Sequence, residues 1–181
     1  MYWYVLFTKT GYEHKTVREI DRVWKIDGLK PFVPMYDARF RRAGKVYSEK
    51  RRLCPGYIFI EAEHKGSEFY KLTRPYIIRS EYALKLLRYG NSYDGNSFEM
   101  KREEYLTFLQ LYNDEYCIEM SKGLIEGDSV CIIEGPLKGH ESRIKKINRH
   151  KLEAVVEMEM MGRMIELKIG LEIIEKMPLS M

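Results

Sequence analysis

The C-terminal third of the chain alternates apolar and charged residues with a period of two. Apolar residues stand at every second position from Val156 to Met160 and again from Ile165 to Ile169, with Gly162 between the two runs. Strict alternation sends successive side chains to opposite faces, which is the pattern of a half-buried β-strand. The sequence therefore predicts a small all-β domain of about five strands over residues 123–181.

The N-terminal half has a different pattern, in which short apolar segments are mixed with helical periodicity. Tyr2–Phe7 and Tyr57–Ile60 are aromatic and β-branched, so both are predicted strands. Lys101–Tyr112 places its apolar residues three and four apart, which predicts an amphipathic helix. A short helix over Glu68–Thr73 is expected to end there, because Pro75 lacks the backbone N–H that a helix needs.

These patterns divide the chain into two domains of different class. An α+β domain is predicted over residues 1–112, and turn residues and charge over residues 113–122 predict a linker. The all-β domain over residues 123–181 follows. The break falls where the hydrophobic period changes from the helical value to two.

Positive charge is concentrated in two short segments. Arg39–Arg52 holds seven basic residues and one acidic residue, and Arg143–Lys151 holds five basic residues and no acidic one. The whole chain carries a net charge of only +4, so the remainder is mildly acidic. Two cationic segments, each in a predicted hairpin, indicate a polyanion such as nucleic acid as the partner. The alternative, that both are merely solvated loops, stays open at this point.

The sequence contains no recognisable catalytic constellation. The four histidines and three cysteines have no metal-ligand spacing, and no serine stands in a nucleophile motif. We therefore expect no catalytic residue, no metal and no cofactor. The odd, scattered cysteines favour a reducing compartment, and no apolar run approaches the ~18 residues of a membrane span, so we expect a cytoplasmic protein with no membrane association.

Three segments resemble one family in the same order along the chain. Trp3–Glu13 (WYVLFTKTGYE) and Leu53–Glu61 (LCPGYIFIE) are similar to the N-terminal domain of NusG-family transcription elongation factors, and Gly127–Ile144 (GDSVCIIEGPLKGHESRI) is similar to the KOW motif that follows it. The resemblance implies a four-stranded antiparallel sheet flanked by helices, then a five-stranded SH3-like barrel. It also implies a non-catalytic monomer that binds bacterial RNA polymerase across its cleft and suppresses pausing and termination.

The resemblance assigns polymerase contacts to particular residues. Family members dock an aromatic and apolar patch on the polymerase clamp, and the matching positions here are Phe7, Tyr57 and Phe59. Because Tyr57 and Phe59 share one face of a strand, we expect that face to be open to the partner's helices. A second contact, with the opposite wall of the cleft, corresponds to Ser67 and Phe69 at the start of the next helix.

Within the family, the sequence looks most like the LoaP branch of antiterminators, which recognise an RNA hairpin in the leader transcript. The cues are Lys30–Pro34 (KPFVP), the arginine-rich hairpin and the compact linker. The expected RNA contacts are Arg39, Arg41, Arg42, Lys45, Lys50, Arg51 and Arg52, with Lys145, Lys146, Arg149, His150 and Lys151. The KOW domain is further expected to meet a ribosomal protein or another elongation factor. Two alternatives are a housekeeping elongation factor without sequence preference and a KOW-type, ribosome-associated RNA-binding protein.

One position departs from the family pattern. Ser142 stands where the KOW motif has a glycine that tolerates a positive φ, so the serine costs about 1 kcal/mol if the backbone keeps that conformation. The Glu- and Met-rich segment Glu153–Gly162 has helix propensity, but its strict alternation predicts a stable strand and no change of fold.

Overall fold

The computed structural model describes residues 1–89, 97–127 and 129–177. Its contacts divide the chain into two compact units, and neither unit is a continuous stretch of sequence. The first contains residues 1–34, 54–106 and 159–163; the second contains residues 35–53, 107–158 and the stretch from residue 164. The arginine-rich segment thus groups with the C-terminal half of the chain. The domain bounds 1–112 and 123–181, which follow chain order, stay a prediction.

Helices and strands both occur in the described residues. The strands are β1 Tyr2–Thr8, β2 Leu29–Phe32, β3 Met35–Arg42, β4 Lys45–Arg52, β5 Tyr57–Ala62, β6 Ala83–Leu86, β7 Cys117–Ile118, β8 Ser121–Glu126, β9 Ser129–Glu134, β10 Ile144–Asn148, β11 Glu153–Met160 and β12 Arg163–Met177. The helices are α1 Glu13–Val23, α2 Gly66–Arg79 and α3 Arg102–Leu111, and a 3-10 turn covers Glu141–Arg143. This content confirms an α+β N-terminal part and a β-rich C-terminal part. No helix among the described residues is long and apolar enough to cross a membrane.

The first unit is built on a four-stranded sheet in the order β2-β5-β1-β6, with every pair antiparallel. One face holds Tyr4 and Leu6 of β1, and it packs on α1 and α2. On that face the Thr8 hydroxyl lies 2.6 Å from the Thr16 hydroxyl of α1, and the Tyr4 ring stacks on Phe69 of α2 at 3.8 Å between centroids. The helices therefore cover the centre of this side of the sheet, where Tyr4, Leu6 and Thr8 are buried.

The opposite face is covered as well, by an aromatic cluster. The Trp3 ring makes edge contacts with Phe32 and Phe59 at 5.2 and 5.9 Å between centroids, and it stacks on Tyr105 of α3 at 5.8 Å. Trp3, Phe32 and Phe59 are all buried. The expectation that this face is open at Phe59 is wrong, because the chain's own aromatic side chains fill it.

Helix α2 runs through Pro75, so the prediction that the helix ends at Thr73 is also wrong. An interior proline loses one backbone hydrogen bond and costs about 3 kcal/mol. Phe69 and Ile77, on either side of the proline, are buried, and burying two such side chains contributes about 3–6 kcal/mol. The packing of α2 on the sheet therefore outweighs the local cost.

The buried Tyr4 hydroxyl ties the loop between β5 and α2 to the sheet. It donates to the carbonyl oxygen of His64 at 2.8 Å and accepts the N–H of Gly66 at 2.7 Å. Burial raises the pKa of Tyr4 well above its usual value, so the hydroxyl stays protonated. Tyr4→Phe leaves two backbone groups without this partner, and we expect it to lower the free energy of unfolding by about 2 kcal/mol in chemical denaturation. A variant as stable as the wild type would show that water replaces the hydroxyl.

The second unit contains a five-stranded sheet in the order β10-β11-β12-β8-β9 and a three-stranded sheet in the order β4-β3-β7. In the first of these, β8 pairs parallel with β12 and antiparallel with β9. Alternate residues from Ala154 to Met160 are buried, so the predicted period of two is confirmed for β11. Strand β7 and the start of β8 lie within residues 113–122, where we predicted a linker, and Cys117 and Ile118 there are buried.

Ser142 lies within the 3-10 turn Glu141–Arg143 and does not have a positive φ. The serine is therefore not strained. The positive φ values of this region belong to Gly135 and Gly139, at 101° and 84°. The loop accommodates the serine by a conformation that every residue adopts easily.

Candidate functional surfaces

A pair of half-exposed aromatic rings lies at one end of the sheet in the first unit. Phe7 of β1 is directly opposite Tyr57 of β5, and the ring centroids are 5.3 Å apart at an angle of 42°. Both side chains are half-buried, whereas Val5 and Phe59, further along the same face, are fully buried. The aromatic pair is thus the part of this face that a partner can reach.

A tight turn before β5 holds Tyr57 beside Phe7. Gly56 has φ +86°, its N–H donates to a carboxylate oxygen of the buried Glu13 at 2.7 Å, and its carbonyl accepts the N–H of Thr8 at 2.8 Å. A Cβ atom at Gly56 would crowd the Thr10 hydroxyl at 3.0 Å, and it would be in ordinary contact with the Phe7 ring at 3.5 Å. These hydrogen bonds fix the turn at Gly56 to the end of β1, beside the aromatic pair.

Three of the five expected polymerase contacts are accessible. Phe7 and Tyr57 are half-exposed, and Ser67 is exposed in the first turn of α2. Phe59 and Phe69 are fully buried, on the aromatic cluster and on Tyr4 respectively, so they shape the core and offer no surface. Alternation in β5 correctly placed Phe59 on the face of Tyr57, but it could not show that the chain covers that residue.

The first basic segment forms the predicted hairpin of β3 and β4. The two-residue turn is Ala43–Gly44, with φ of 49° and 75°, and Arg42 lies opposite Lys45. Consecutive positive φ values are typical of the turn that matches the twist of a hairpin. The pairing register then divides the cations between two faces, because side chains alternate along each strand.

One face of the β3–β4 hairpin carries cations that are paired with carboxylates. Arg39 and Arg41 each lie 3.6 Å from Glu172 of β12, and the Lys50 ammonium pairs with Glu115. That pairing raises the pKa of Lys50 and lowers the pKa of Glu115. Each of these cations is already partly neutralised within the protein, which sequence reasoning missed because the acids are distant in the chain.

The other face of the β3–β4 hairpin combines aromatic rings with cations. Phe40 and Tyr47 stack at 5.6 Å between centroids and 17° between planes, and the Arg51 guanidinium lies 5.9 Å from the Phe40 ring. Arg51 also pairs with Glu49 on the same strand. Tyr47 is exposed and Phe40 is half-buried. Accessible rings beside arginine provide stacking surfaces and hydrogen-bond donors, which are the groups that bind nucleic acid.

At the tip of the β3–β4 hairpin, Arg42 and Lys45 are exposed, and among the described residues neither has a carboxylate partner. Arg52, at the other end of β4, is exposed as well. Of the seven candidate RNA-binding cations in this segment, the two at the tip are therefore the most available to bind an external anion. Val46 and Tyr47 beside them are 54% and 44% exposed, so the tip also presents apolar surface.

The second basic segment forms the turn between β10 and β11. Asn148 Oδ1 accepts the N–H of Lys151 at 3.0 Å, and Leu152 closes the turn with φ of 52°. Arg149, His150 and Lys151 are exposed in this turn, as is Lys146 in β10. Lys145 lies 2.8 Å from a Glu157 oxygen of β11. The predicted turn is confirmed, and four of the five candidate RNA contacts in this segment lie outside the ion pairs of the described residues.

No group of histidine, cysteine, aspartate and glutamate side chains among the described residues is arranged to hold a metal ion. Burial raises the pKa of the Cys54 thiol to about 12, and burial beside Asp37 raises the pKa of Cys117 to about 12. Both thiols are therefore protonated and unreactive at neutral pH. The accessible chemistry of these surfaces is binding through rings and cations.

Comparison with known proteins identifies the N-terminal part of the chain. The model of the NusG family, described as transcription termination factor nusG, matches residues 1–93. No curated protein matches the sequence. The matched range includes the Phe7–Tyr57 pair and the whole β3–β4 hairpin.

Proposed function

The chain belongs to the NusG family of non-enzymatic transcription factors, which bind RNA polymerase, and from this premise we propose that it is a processive antitermination factor of the LoaP type. It binds bacterial RNA polymerase across the cleft as a monomer, and an RNA hairpin in the leader transcript recruits it. The C-terminal strands β8 to β12 correspond in this proposal to the SH3-like KOW barrel. The Phe7–Tyr57 pair docks on the clamp, and Ser67 meets the opposite wall.

A non-catalytic factor of this kind acts by differential binding. It prefers the elongating state of polymerase to the state that pauses, and it shifts the population by the difference between the two affinities. Contact on both sides of a cleft provides such a difference, because both contacts form only when the cleft has the right width. The RNA contact then raises the local concentration of the factor on the chosen transcript.

The observation that carries the RNA proposal is the grouping of both basic turns in one unit of the chain. Residues 35–53 are distant in sequence from the β10–β11 turn, yet the two segments share the second unit. Among the described residues, the cations at the tip of each turn have no carboxylate partner, and the β3–β4 hairpin adds the Phe40–Tyr47 rings. Two cationic projections with aromatic rings suit a folded stem-loop, which proteins recognise by shape, backbone and unstacked bases.

Binding to RNA stem-loops, measured by fluorescence anisotropy over a range of salt, tests the proposal. We expect Arg42→Ala combined with Lys45→Ala to weaken binding about tenfold and to reduce the log–log salt slope by about 1.5, because two phosphate contacts are lost. Arg39→Ala combined with Lys50→Ala is expected to have a smaller effect, since both side chains have carboxylate partners. Arg18→Ala combined with Arg22→Ala, on exposed positions of α1, removes equal charge and serves as the control.

Three outcomes would separate this proposal from its alternatives. Equally tight binding to unstructured RNA of the same length contradicts hairpin recognition. If the factor increases transcription in vitro through a terminator on every template, with or without a stem-loop, it is a housekeeping elongation factor. RNA binding without any binding to polymerase indicates a ribosome-associated KOW protein. For the antitermination factor itself, we propose that the C-terminal domain meets a ribosomal protein or another elongation factor.

A further inference from the structure

The outer face of α2 lines a groove of about 570 Å³ in the first unit. Ser67, Lys71, Arg74 and Ile78 follow one another at helical spacing along this face, and Arg88 and Phe98 form the facing wall. The opposite face of α2, with Phe69 and Ile77, is buried against the sheet. The volume falls within the range of about 300–1,000 Å³ that is typical of ligand sites.

The groove is strongly cationic. The described side chains that line it include Lys71, Arg74, Arg79 and Arg88, and no carboxylate. None of the four takes part in an ion pair among the described residues, and all four are exposed. Arg79 also stabilises the C-terminus of α2 through the helix dipole. The other three cations have no such role, and their mutual repulsion is relieved by a bound anion.

The groove also has an apolar component that phosphate does not use. The Ile78 side chain is 68% exposed, and it lies on the face of α2 between the cations. Phosphate bound there would remove water from Ile78 without providing an apolar contact, whereas an aliphatic side chain of a polypeptide would bury it favourably. Cations around an exposed isoleucine therefore match an acidic segment that also carries aliphatic residues.

The Phe98 ring of the groove is not available for stacking on bases. Tyr70 and Phe98 stack face to face at 4.3 Å between centroids with 6° between planes, and Phe98 is only 2% exposed. The Arg88 guanidinium lies 5.5 Å from the Phe98 ring. Binding of single-stranded nucleic acid relies on free ring faces that take up successive bases. Phe98 instead provides a ring face for the Arg88 guanidinium.

We propose that this groove binds an acidic polypeptide segment with aliphatic side chains, supplied by a partner protein. Carboxylates of the segment pair with Lys71, Arg74 and Arg88, and an aliphatic side chain covers Ile78. The groove shares Ser67 with the second polymerase contact proposed above. Lys71, Arg74, Ile78 and Arg88 have no role in that contact, so the peptide site goes beyond the proposed function.

Fluorescence anisotropy with the full chain and a labelled peptide of Glu-Glu-Leu repeats tests this proposal without polymerase or RNA. We expect the peptide to bind, and peptides of Gln-Gln-Leu or Glu-Glu-Ser repeats to bind at least about tenfold more weakly, because the first lacks the carboxylates and the second lacks the aliphatic side chain. Arg74→Glu combined with Arg88→Glu should abolish binding. Arg18→Glu combined with Arg22→Glu makes the same charge change at exposed positions of α1 and should leave binding intact.

The variant Ile78→Asn distinguishes a peptide from a nucleic acid. Because Ile78 is exposed, the substitution should leave the thermal unfolding midpoint unchanged, and it should weaken binding of the Glu-Glu-Leu peptide about tenfold. Failure of that peptide to bind, or equal binding of the Gln-Gln-Leu peptide, overturns the proposal. Tighter binding of an oligo-dT of matched length that is insensitive to Ile78→Asn overturns it too, and assigns the groove to nucleic acid.

Discussion

Tyr57→Ala is expected to weaken binding of the folded protein to bacterial RNA polymerase by about a hundredfold, because buried aromatic residues at the centre of interfaces contribute about 2–4 kcal/mol. Tyr57 and Phe7 are the accessible end of an otherwise covered sheet face, and truncating either ring removes half of the pair. Co-migration with core polymerase in gel filtration, followed by titration with labelled protein, measures the loss. Tyr57→Phe keeps the ring and should bind like the wild type.

The first unit also offers a matched control for this experiment. Tyr12 of the α1 entry stacks on Tyr82 at 5.0 Å between centroids, and Tyr12 is 38% exposed. Tyr12→Ala thus removes an exposed ring from an aromatic pair elsewhere in the same unit, and we expect no change in polymerase binding. If Tyr12→Ala abolishes binding and a folded Tyr57→Ala variant does not, the docking surface lies at Tyr12 and Tyr82.

Features that depend on neighbours in sequence were predictable. The hairpin turn at Ala43–Gly44 and the alternating burial along β11 both follow from local backbone preferences and from the period of side chains in a strand. For the same reason, the exposed turn at Arg149–Lys151 lies where the pattern placed it. The mixed character of the N-terminal part and the β-rich character of the C-terminal part follow from these local patterns.

Features that depend on distant residues were not predictable. A strand pattern places Phe59 on a face, but only the folded chain brings Trp3, Phe32 and Tyr105 to cover that face. Helix α2 continues past Pro75 because of what packs beneath it. Both errors have one physical cause. Packing between residues that are distant in sequence decides these features, and local patterns do not contain that information.

The electrostatics of the candidate site shows the same limit. From the sequence alone, all seven cations of Arg39–Arg52 are equally available to RNA. The structure pairs Arg39 and Arg41 with Glu172 of β12, and Lys50 with Glu115, while the tip cations keep no carboxylate partner among the described residues. Sequence composition therefore predicted the sign of the surface charge, and the structure identifies which cations are available to bind RNA.

The attachment of the β3–β4 hairpin to the rest of the second unit depends on Gly170 of β12. A Cβ atom at this position would overlap the backbone carbonyl oxygen of Asp37 in β3 and the sulfur of Met120. The methionine side chain can move, but the carbonyl belongs to a paired strand and cannot move without displacing β3. Gly170→Ala is therefore expected to lower the free energy of unfolding by about 3 kcal/mol, as overpacking in a tight contact does.

Chemical denaturation of Gly170→Ala measures this loss, and Gly139→Ala provides the control. Gly139 has φ of +84° and nothing within 4 Å of the position of an added Cβ, so its substitution carries only backbone strain of about 1–2 kcal/mol. The excess loss in Gly170→Ala then reports the steric contact with β3. Because that contact fixes the hairpin, the variant should also bind RNA stem-loops more weakly than Gly139→Ala does. Equal stability of the two variants would mean that β3 shifts freely on β12, and the β3–β4 hairpin would then be held chiefly by its ion pairs with Glu172 and Glu115.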